Sequence, residues 1–123
     1  MVYRVAVAST DGIVINQHFG HAERFHIVEL DTETEAFHFV ESRDVQRVCQ
    51  GHGHDLPAFD AVSEILSDVQ AIIVAKIGQG ASNYLENKGF AIYEAPFPIE
   101  AVIQKIIQEK YWEVDLWQSH TKN

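Results

Sequence analysis

The sequence predicts an α/β domain with a five-stranded mixed sheet and helices packed on its faces. The first third of the chain carries strand patterns only, and the remainder alternates helix with strand. With 123 residues, of which 46% are hydrophobic, the chain can bury a single core without disulfides. We expect this domain to occupy residues 1–110 and an aromatic-containing C-terminal tail to occupy residues 111–123.

Three strands are predicted first, at Val2–Ser9, Arg24–Leu30 and Ala36–Glu41. The first strand is rich in Val and Ala on both faces, which is typical of a central strand, whereas the other two alternate apolar with polar residues. The short connection Asp31–Glu35 predicts a hairpin between the second and third strands, so the three strands should be antiparallel.

The rest of the chain predicts three helices separated by two buried strands. The first helix should begin near Pro57, with Asp55 as its cap. The elements after it are a strand at Ala71–Ile77, a short helix that follows the turn Gly78-Gln79-Gly80 and ends at Gly89, a strand at Phe90–Tyr93, and a helix opened by Pro98. Folds of the ribonuclease H-like type share this order of elements, and that is the fold we predict.

The net charge of -9 predicts a protein that binds neither a nucleic-acid backbone nor an anionic membrane surface. The single cysteine, Cys49, cannot form an intramolecular disulfide, so nothing indicates an oxidising compartment. The apolar run at the N-terminus is too short for a signal peptide, and no apolar stretch is long enough to span a bilayer. We therefore predict a cytoplasmic protein.

Two loops carry the residues best suited to bind a metal, one at Asn16–His21 and one at Val48–Asp55. Together they hold the only cysteine and four of the seven histidines, which are Cys49, His18, His21, His52 and His54. Imidazole and thiolate are common ligands of transition metals and iron–sulfur species. The spacing matches neither a closed zinc site nor a four-cysteine cluster site, so a bound group would be held by few protein ligands. The fold predicts that both loops lie at the same end of the sheet.

The opening VAVASTDGIVINQHFGHAERFHIVEL resembles the dinitrogenase iron–molybdenum cofactor-binding family, and the resemblance covers the chain up to the last helix. The features that carry it are Asp11-Gly12, Asn16-Gln17-His18-Phe19-Gly20, Phe25, Cys49-Gln50-Gly51, the strand from Ile72 to Gly78, and Gly80. The family's fold is ribonuclease H-like, in agreement with the order of elements. Many relatives carry a second cysteine shortly after the first, where this chain has Gly51-His52-Gly53-His54.

The resemblance implies a binding protein that takes up an iron–molybdenum cofactor, or its iron–sulfur precursor, and passes it on. The bound cofactor would be transient, and the partners would be a cluster donor and an acceptor protein, with a homodimer as a further option. By analogy the ligands are His18 and His21, with Cys49 next, and His52 and His54 as helpers. The predicted cofactor site also includes Gly20 and Arg24.

Ordinary structural roles remain open for each of these residues. His18 and His21 could cap and pack a turn, Cys49 could be an inert small residue, and His52 and His54 could take up metals adventitiously.

Other features of the sequence also carry two interpretations. Arg24, Arg43 and Arg47 could offset the charge of a cluster or be surface residues. The tail at 111–123 could fold back on the sheet or dock a partner subunit. His26 and His38 are predicted to be cross-strand surface neighbours.

No enzymatic activity is expected. Nucleases of this fold hold two metal ions on strand carboxylates, and neither Val2–Ser9 nor Ala71–Ile77 contains one. The predicted function is non-catalytic binding or carriage of an iron–sulfur or iron–molybdenum cofactor in nitrogenase-type metallocluster maturation. The alternative is a metal-responsive interaction module that binds zinc, copper or nickel through His52 and His54. A thiol enzyme that uses Cys49 is a third and weaker interpretation.

Overall fold

The structure, a computed structural model, describes residues 1–46 and 56–113. Its strands are β1 (Val2–Ala8), β2 (Arg24–Asp31), β3 (Phe37–Asp44), β4 (Ala71–Val74) and β5 (Ala91–Glu94). Its helices are α1 (Leu56–Ile65), α2 (Gln79–Asn87) and α3 (Ile99–Glu109), and a single 3-10 turn spans Phe19–His21. The predictions for Arg47, Cys49, His52, His54 and Asp55 lie outside the described residues.

The five strands form one mixed sheet in the order β3-β2-β1-β4-β5. β1, β2 and β3 pair antiparallel, whereas β1, β4 and β5 pair parallel. The predicted α/β fold with a five-stranded mixed sheet is therefore confirmed, while the ribonuclease H-like assignment stays a prediction. Because of these directions β1, β3, β4 and β5 all end at one edge of the sheet, which we call the carboxyl edge.

Helices cover both faces of the sheet. One face packs on α1 and α2 through residues such as Phe25, Ile72 and Leu85, and the other packs on α3 through residues such as Val5, Ile73 and Ile103. β1 and β4 are buried from both sides, which explains why their sequences read as almost continuous apolar runs. In the described part of the chain, no helix is long and apolar enough to cross a membrane.

β4 ends at Val74, three residues before the predicted end of the strand. The backbone beyond it pairs with the loop after β1 instead of continuing the sheet. The Ala75 amide donates to the Gln17 carbonyl at 2.9 Å, and the Phe19 amide donates to the Lys76 carbonyl at 2.8 Å. The apolar residues after Val74 therefore serve a loop–loop contact, which strand periodicity does not reveal.

The prediction that His26 and His38 are cross-strand neighbours is wrong. The Asp31 amide donates to the Ala36 carbonyl at 2.8 Å, and this turn sets the register of the hairpin. His38 consequently lies opposite Glu29, while His26 lies opposite Ser42 beyond a β-bulge. The same hairpin extends β3 to Asp44, three residues past the predicted end.

The beginning of the predicted tail packs against the sheet. The Trp112 side chain is 5% exposed and its ring centroid lies 6.1 Å from that of Tyr3 on β1. Tyr111 contacts Tyr93 of β5, with ring centroids 5.1 Å apart. Of the two interpretations for the tail, folding back on the sheet holds for residues 111 and 112. The boundary between domain and tail at residue 110 stays a prediction.

Candidate functional site at the carboxyl edge

The loop after β1 starts with a tight turn held by side-chain hydrogen bonds. The buried Ser9 hydroxyl accepts from the Gly12 amide at 2.9 Å and donates to the Asp11 carboxylate at 3.0 Å. The same carboxylate accepts from the amides of Ile13 and Val14, at 2.8 and 3.1 Å. These bonds, the Ile13 bond first among them, lower the pKa of Asp11. Gly12 has a φ of 74°, a backbone conformation that would be strained for a residue with a side chain. The Asp11-Gly12 pair is therefore explained by the geometry of this turn.

Asn16 then fixes the path of the chain toward the histidines. The Thr10 amide donates to the Asn16 side-chain oxygen at 3.0 Å, and the Asn16 side-chain amide donates to the Thr10 hydroxyl at 2.8 Å. The Asn16 backbone amide donates to the Ala8 carbonyl at 3.2 Å. Three bonds from one residue hold the loop against the end of β1, so the following residues leave the sheet in a defined direction.

Phe19 anchors the histidine turn in the core. It is 3% exposed, and its ring centroid lies 6.1 Å from that of Phe59 in the first turns of α1. His18 and His21 flank this anchor and are both exposed, with ring centroids 6.3 Å apart. Gly20 lies between them inside the 3-10 turn. The turn therefore buries its aromatic residue and presents two imidazoles to solvent.

The capping alternative does not hold for His18. His18 occupies the position before the 3-10 turn, yet its side chain makes no capping hydrogen bond. The turn is closed by backbone bonds, including one at 3.0 Å from the His21 amide to the His18 carbonyl. An imidazole that is not needed to hold the turn is free to bind a ligand.

Two imidazoles do not complete a metal site by themselves. Within residues 1–46 and 56–113, no group of three or more His, Cys, Asp or Glu residues is placed to hold a metal ion. A closed structural zinc site needs four ligands. His18 and His21 are therefore two imidazoles with no third such ligand grouped with them in the described ranges.

Lys76 is a neighbour of this pair that sequence reasoning missed. It follows β4, is exposed, and forms an isolated parallel bridge with His18. Its place in the sequence, a cation that interrupts the apolar run from Ala71 to Ile77, was the available signal. A positive charge at this position favours an anionic ligand beside the histidines.

Arg24 lies on the other side of the loop, at the start of β2. Its guanidinium contacts the Asp44 carboxylate at 3.0 Å, and both side chains are exposed. They belong to an open cavity of about 420 Å³ that is lined by Thr10, Gln17, Glu23, Arg24, Asp44 and Val45. Arg24 thus lines a cavity together with Thr10 and Gln17 of the loop, and the Asp44 carboxylate offsets part of its charge.

Arg43 is engaged in a structural contact. Its guanidinium donates to both carboxylate oxygens of Asp68, at 2.6 and 2.9 Å, and to the Ile65 carbonyl at 2.8 Å. Asp68 first, and then Glu41, raise the pKa of Arg43 by accepting its hydrogen bonds. The hydrogen bonds from Arg43 in turn lower the pKa of Asp68. Arg43 therefore ties β3 to the end of α1 and is not available to offset the charge of a bound cluster.

The two ends of the second predicted loop lie next to the first. The Val45 amide, just before this segment, donates to the Glu23 carbonyl at 2.9 Å. Phe59, just after it, contacts Phe19. The chain thus leaves β3 and enters α1 at the carboxyl edge. A site shared with Cys49, His52 and His54 remains a prediction, because these residues lie outside the described ones.

The geometry defines a small α/β domain with an exposed imidazole pair on a hydrogen-bonded loop, between the ends of two parallel strands. The sequence profile of the dinitrogenase iron-molybdenum cofactor family matches residues 1–109, so the chain belongs to this family. The FeMo cofactor biosynthesis protein NifB of Frankia alni is 38% identical over 111 residues, which cover 88% of this chain and 21% of that protein. The NifB protein of Klebsiella pneumoniae is 39% identical over 90 residues, covering 69% of this chain and 19% of that protein.

This chain therefore spans about a fifth of the length of the curated relatives it matches. A solved structure with the same fold is the apo form of the orange protein from Desulfovibrio gigas, with a TM-score of 0.58 and 19% identity. The match covers 86% of this chain and 88% of that one. The family is associated with the biosynthesis of the iron–molybdenum cofactor, and the prediction of family membership is confirmed.

Proposed function

We propose that this domain is a non-catalytic binding or carrier protein for an iron–sulfur or iron–molybdenum cofactor, or its precursor, in nitrogenase-type metallocluster maturation. The observation that carries the proposal is the exposed pair His18 and His21 on either side of buried Phe19. In open α/β sheets, ligands bind outside the carboxyl ends of the strands where the strand order reverses. In this sheet the order reverses between β1 and β4, and the bridge from His18 to Lys76 lies there.

The chemistry of the pair suits transient binding. Imidazole nitrogen is a ligand for iron and for other transition metals. Two such ligands leave most positions of a cluster to its own sulfides, so the cluster can be released intact to an acceptor. Lys76 and Arg24 stand on opposite sides of the loop and would favour an anionic cluster over a simple cation. Cys49 would be a third ligand, with His52 and His54 as helpers.

The proposal of a non-catalytic role rests on the lack of carboxylates in the central strands β1 and β4. β1 and β4 contain no carboxylate that could hold catalytic metal ions or move protons. The matched region covers only 21% and 19% of the two NifB proteins, so the homologous region is a small part of each biosynthetic protein. A separate binding domain would need a cluster donor and an acceptor protein as partners, and we expect all of them in the cytoplasm.

The test is an anaerobic titration with an isolated iron–sulfur precursor of the cofactor, followed by visible absorption and metal analysis. We expect stoichiometric binding, weakened about tenfold or more in His18→Ala, His21→Ala and Cys49→Ala, because each variant removes a ligand. His38→Ala is the matched control. His38 is also a surface histidine, with a side chain that is 70% exposed, but it lies on β3 and not on the histidine turn. Circular dichroism would check that each variant is folded.

Two outcomes would contradict the proposal. If His18→Ala and His21→Ala bound the precursor as tightly as His38→Ala does, the exposed pair would not be the site. If the protein ignored the precursor but took up zinc or copper tightly, the role would be that of a metal-responsive module, for which the comparisons offer no support.

A further inference from the structure

A groove beside α3 lies on the face of the sheet opposite the one that anchors the histidine turn. Phe19 packs in the cluster under α1 and α2, whereas the groove is lined by members of the cluster under α3, among them Val28 and Ile103. Its volume is about 700 Å³, within the range of about 300–1,000 Å³ that is typical of small-molecule sites. The groove is therefore separate from the proposed cofactor site and has room for a small ligand.

Apolar side chains form most of the lining of this groove. The buried residues Val28 and Ile103 line it, together with Phe39 and Ile13, which are 58% and 66% exposed. Phe39 and Ile13 would lose part of their contact with water against an apolar ligand, and such burial is favourable. The groove therefore favours a ligand with an apolar body.

The serine in the groove has its proton engaged by a histidine. The Nε2 atom of His26 lies 3.2 Å from the Ser9 carbonyl oxygen, so Nε2 carries a proton and donates it to that carbonyl. In the neutral imidazole Nδ1 is then an acceptor, and the Ser42 hydroxyl donates to it at 2.9 Å. Ser42 therefore offers a ligand only the lone pairs of its oxygen.

The charged side chain in the groove is a carboxylate. Glu100 lines the groove from the first turn of α3, and no Lys or Arg is among the described residues of its lining. The Glu100 carboxylate and the Ser42 oxygen both accept hydrogen bonds, so a ligand must bring the donors. A positive ligand is favoured by Glu100, by the net charge of -9 and by the ring face of Phe39.

We propose that this groove binds a small apolar amine. The ammonium group of the ligand pairs with Glu100, Ser42 accepts a further hydrogen bond, and the apolar part lies against Phe39 and Ile13. A carboxylate of the same shape would meet only acceptors and a like charge, so it is excluded by the same residues. The groove thus selects its ligand by the sign of the charge as well as by apolar surface.

The experiment titrates the full chain with phenethylamine and, in parallel, with hydrocinnamate, which is similar in size and opposite in charge. Binding is followed by nuclear magnetic resonance of the backbone amides. We expect saturable shifts at the groove with the amine and an affinity about tenfold lower for the carboxylate. Glu100→Gln and Phe39→Ser should each weaken amine binding severalfold. Both side chains are exposed, so neither substitution should unfold the chain.

Glu109→Gln and Phe97→Ser are the matched controls. Glu109 lies at the other end of α3 and Phe97 is also 58% exposed, but neither lines the groove. Equal affinity for the amine and the carboxylate would overturn the proposal, as would amine binding that Glu100→Gln and Phe39→Ser leave unchanged. Amine binding that does not saturate, or that Glu109→Gln weakens as much as Glu100→Gln does, would show only attraction to an acidic surface and overturn it as well.

Discussion

At the scale of single residues, the site depends on one buried aromatic side chain between two exposed imidazoles. Phe19 contacts Phe59 and shares the core with Leu66 and Val74, so it fixes the turn that carries the histidines. Its burial also explains why the turn can leave His18 and His21 in solvent. The stability of the fold and the placement of the histidine pair are therefore linked through this residue.

Phe19→Ala should lower the free energy of unfolding by about 3 kcal/mol, because it removes buried apolar surface and leaves a cavity. Urea denaturation followed by circular dichroism measures this loss. Phe97→Ala is the control, and its effect should stay within about 0.5 kcal/mol, since Phe97 is exposed. Equal effects of the two substitutions would show that Phe19 is not a core residue.

At the scale of secondary-structure elements, the end of α3 carries a local strain. Lys110 has a φ of 51°, in the left-handed region that glycine adopts without penalty. Its amide closes the helix by donating to the carbonyls of Ile106 and Ile107. The left-handed conformation of Lys110 directs Tyr111 and Trp112 back onto the sheet, where they contact Tyr93 and Tyr3.

Lys110→Gly should raise the free energy of unfolding by about 1 kcal/mol, because it relieves the left-handed strain. Lys105→Gly is the matched control in the interior of the same helix, where glycine should cost about 1 kcal/mol. Thermal and urea unfolding of the two variants would show opposite signs. Destabilisation by both would mean that Lys110 makes a contact worth more than its backbone strain.

β3 is an edge strand of the sheet, and two of its features hinder pairing with a strand from another molecule. Its register is interrupted by a β-bulge, and charged residues follow the bulge, among them Glu41 and Arg43. Both features discourage another strand from adding to an edge. Arg43 also ties this edge to the end of α1 through the Ile65 carbonyl and to the turn after α1 through Asp68. The edge strand is therefore held near its carboxyl end.

At the scale of the whole molecule, three carboxylates link stability to pH. The pKa values of Asp11, Asp31 and Asp68 are lowered from 3.8, chiefly by hydrogen bonds from the Ile13 amide, the Glu33 amide and the Arg43 guanidinium respectively. A lowered pKa means that the folded state favours the ionised form. The resulting stability is present above pH 3.8 and is lost as the pH falls through the lowered values.

We expect the urea midpoint to fall as the pH is taken from 5 to about 2, beginning near the ordinary pKa of aspartate. Asp68→Asn should reduce this dependence and lower stability at pH 7 by less than about 1 kcal/mol, because the pair with Arg43 is partly exposed. Arg43→Gln should reduce it similarly, since either change removes the same pair. An unchanged pH dependence in both variants would contradict the assignment of this linkage to the pair.

The sequence by itself determined the type of each element, the antiparallel hairpin, and the loop that carries His18 and His21. Periodicity and turn residues are local properties, and they set which backbone conformation is favoured whatever the neighbours are. The exposure of the histidines was also predictable in outline, because the loop lacks apolar residues apart from Phe19. The match to a family followed from the same short motifs.

Only the tertiary structure decided which distant groups meet. Lys76 lies beside His18 because backbone groups some sixty positions apart in the sequence pair across two strand ends, which also shortens β4. Phe39 alternates like a core residue yet is 58% exposed, because it lies on the edge strand β3, whose residues are almost all exposed. Trp112 belongs to the core because Lys110 turns the chain back onto the sheet. Strand lengths, exposure and neighbours depend on which surfaces pack together, and local patterns carry no information about that choice.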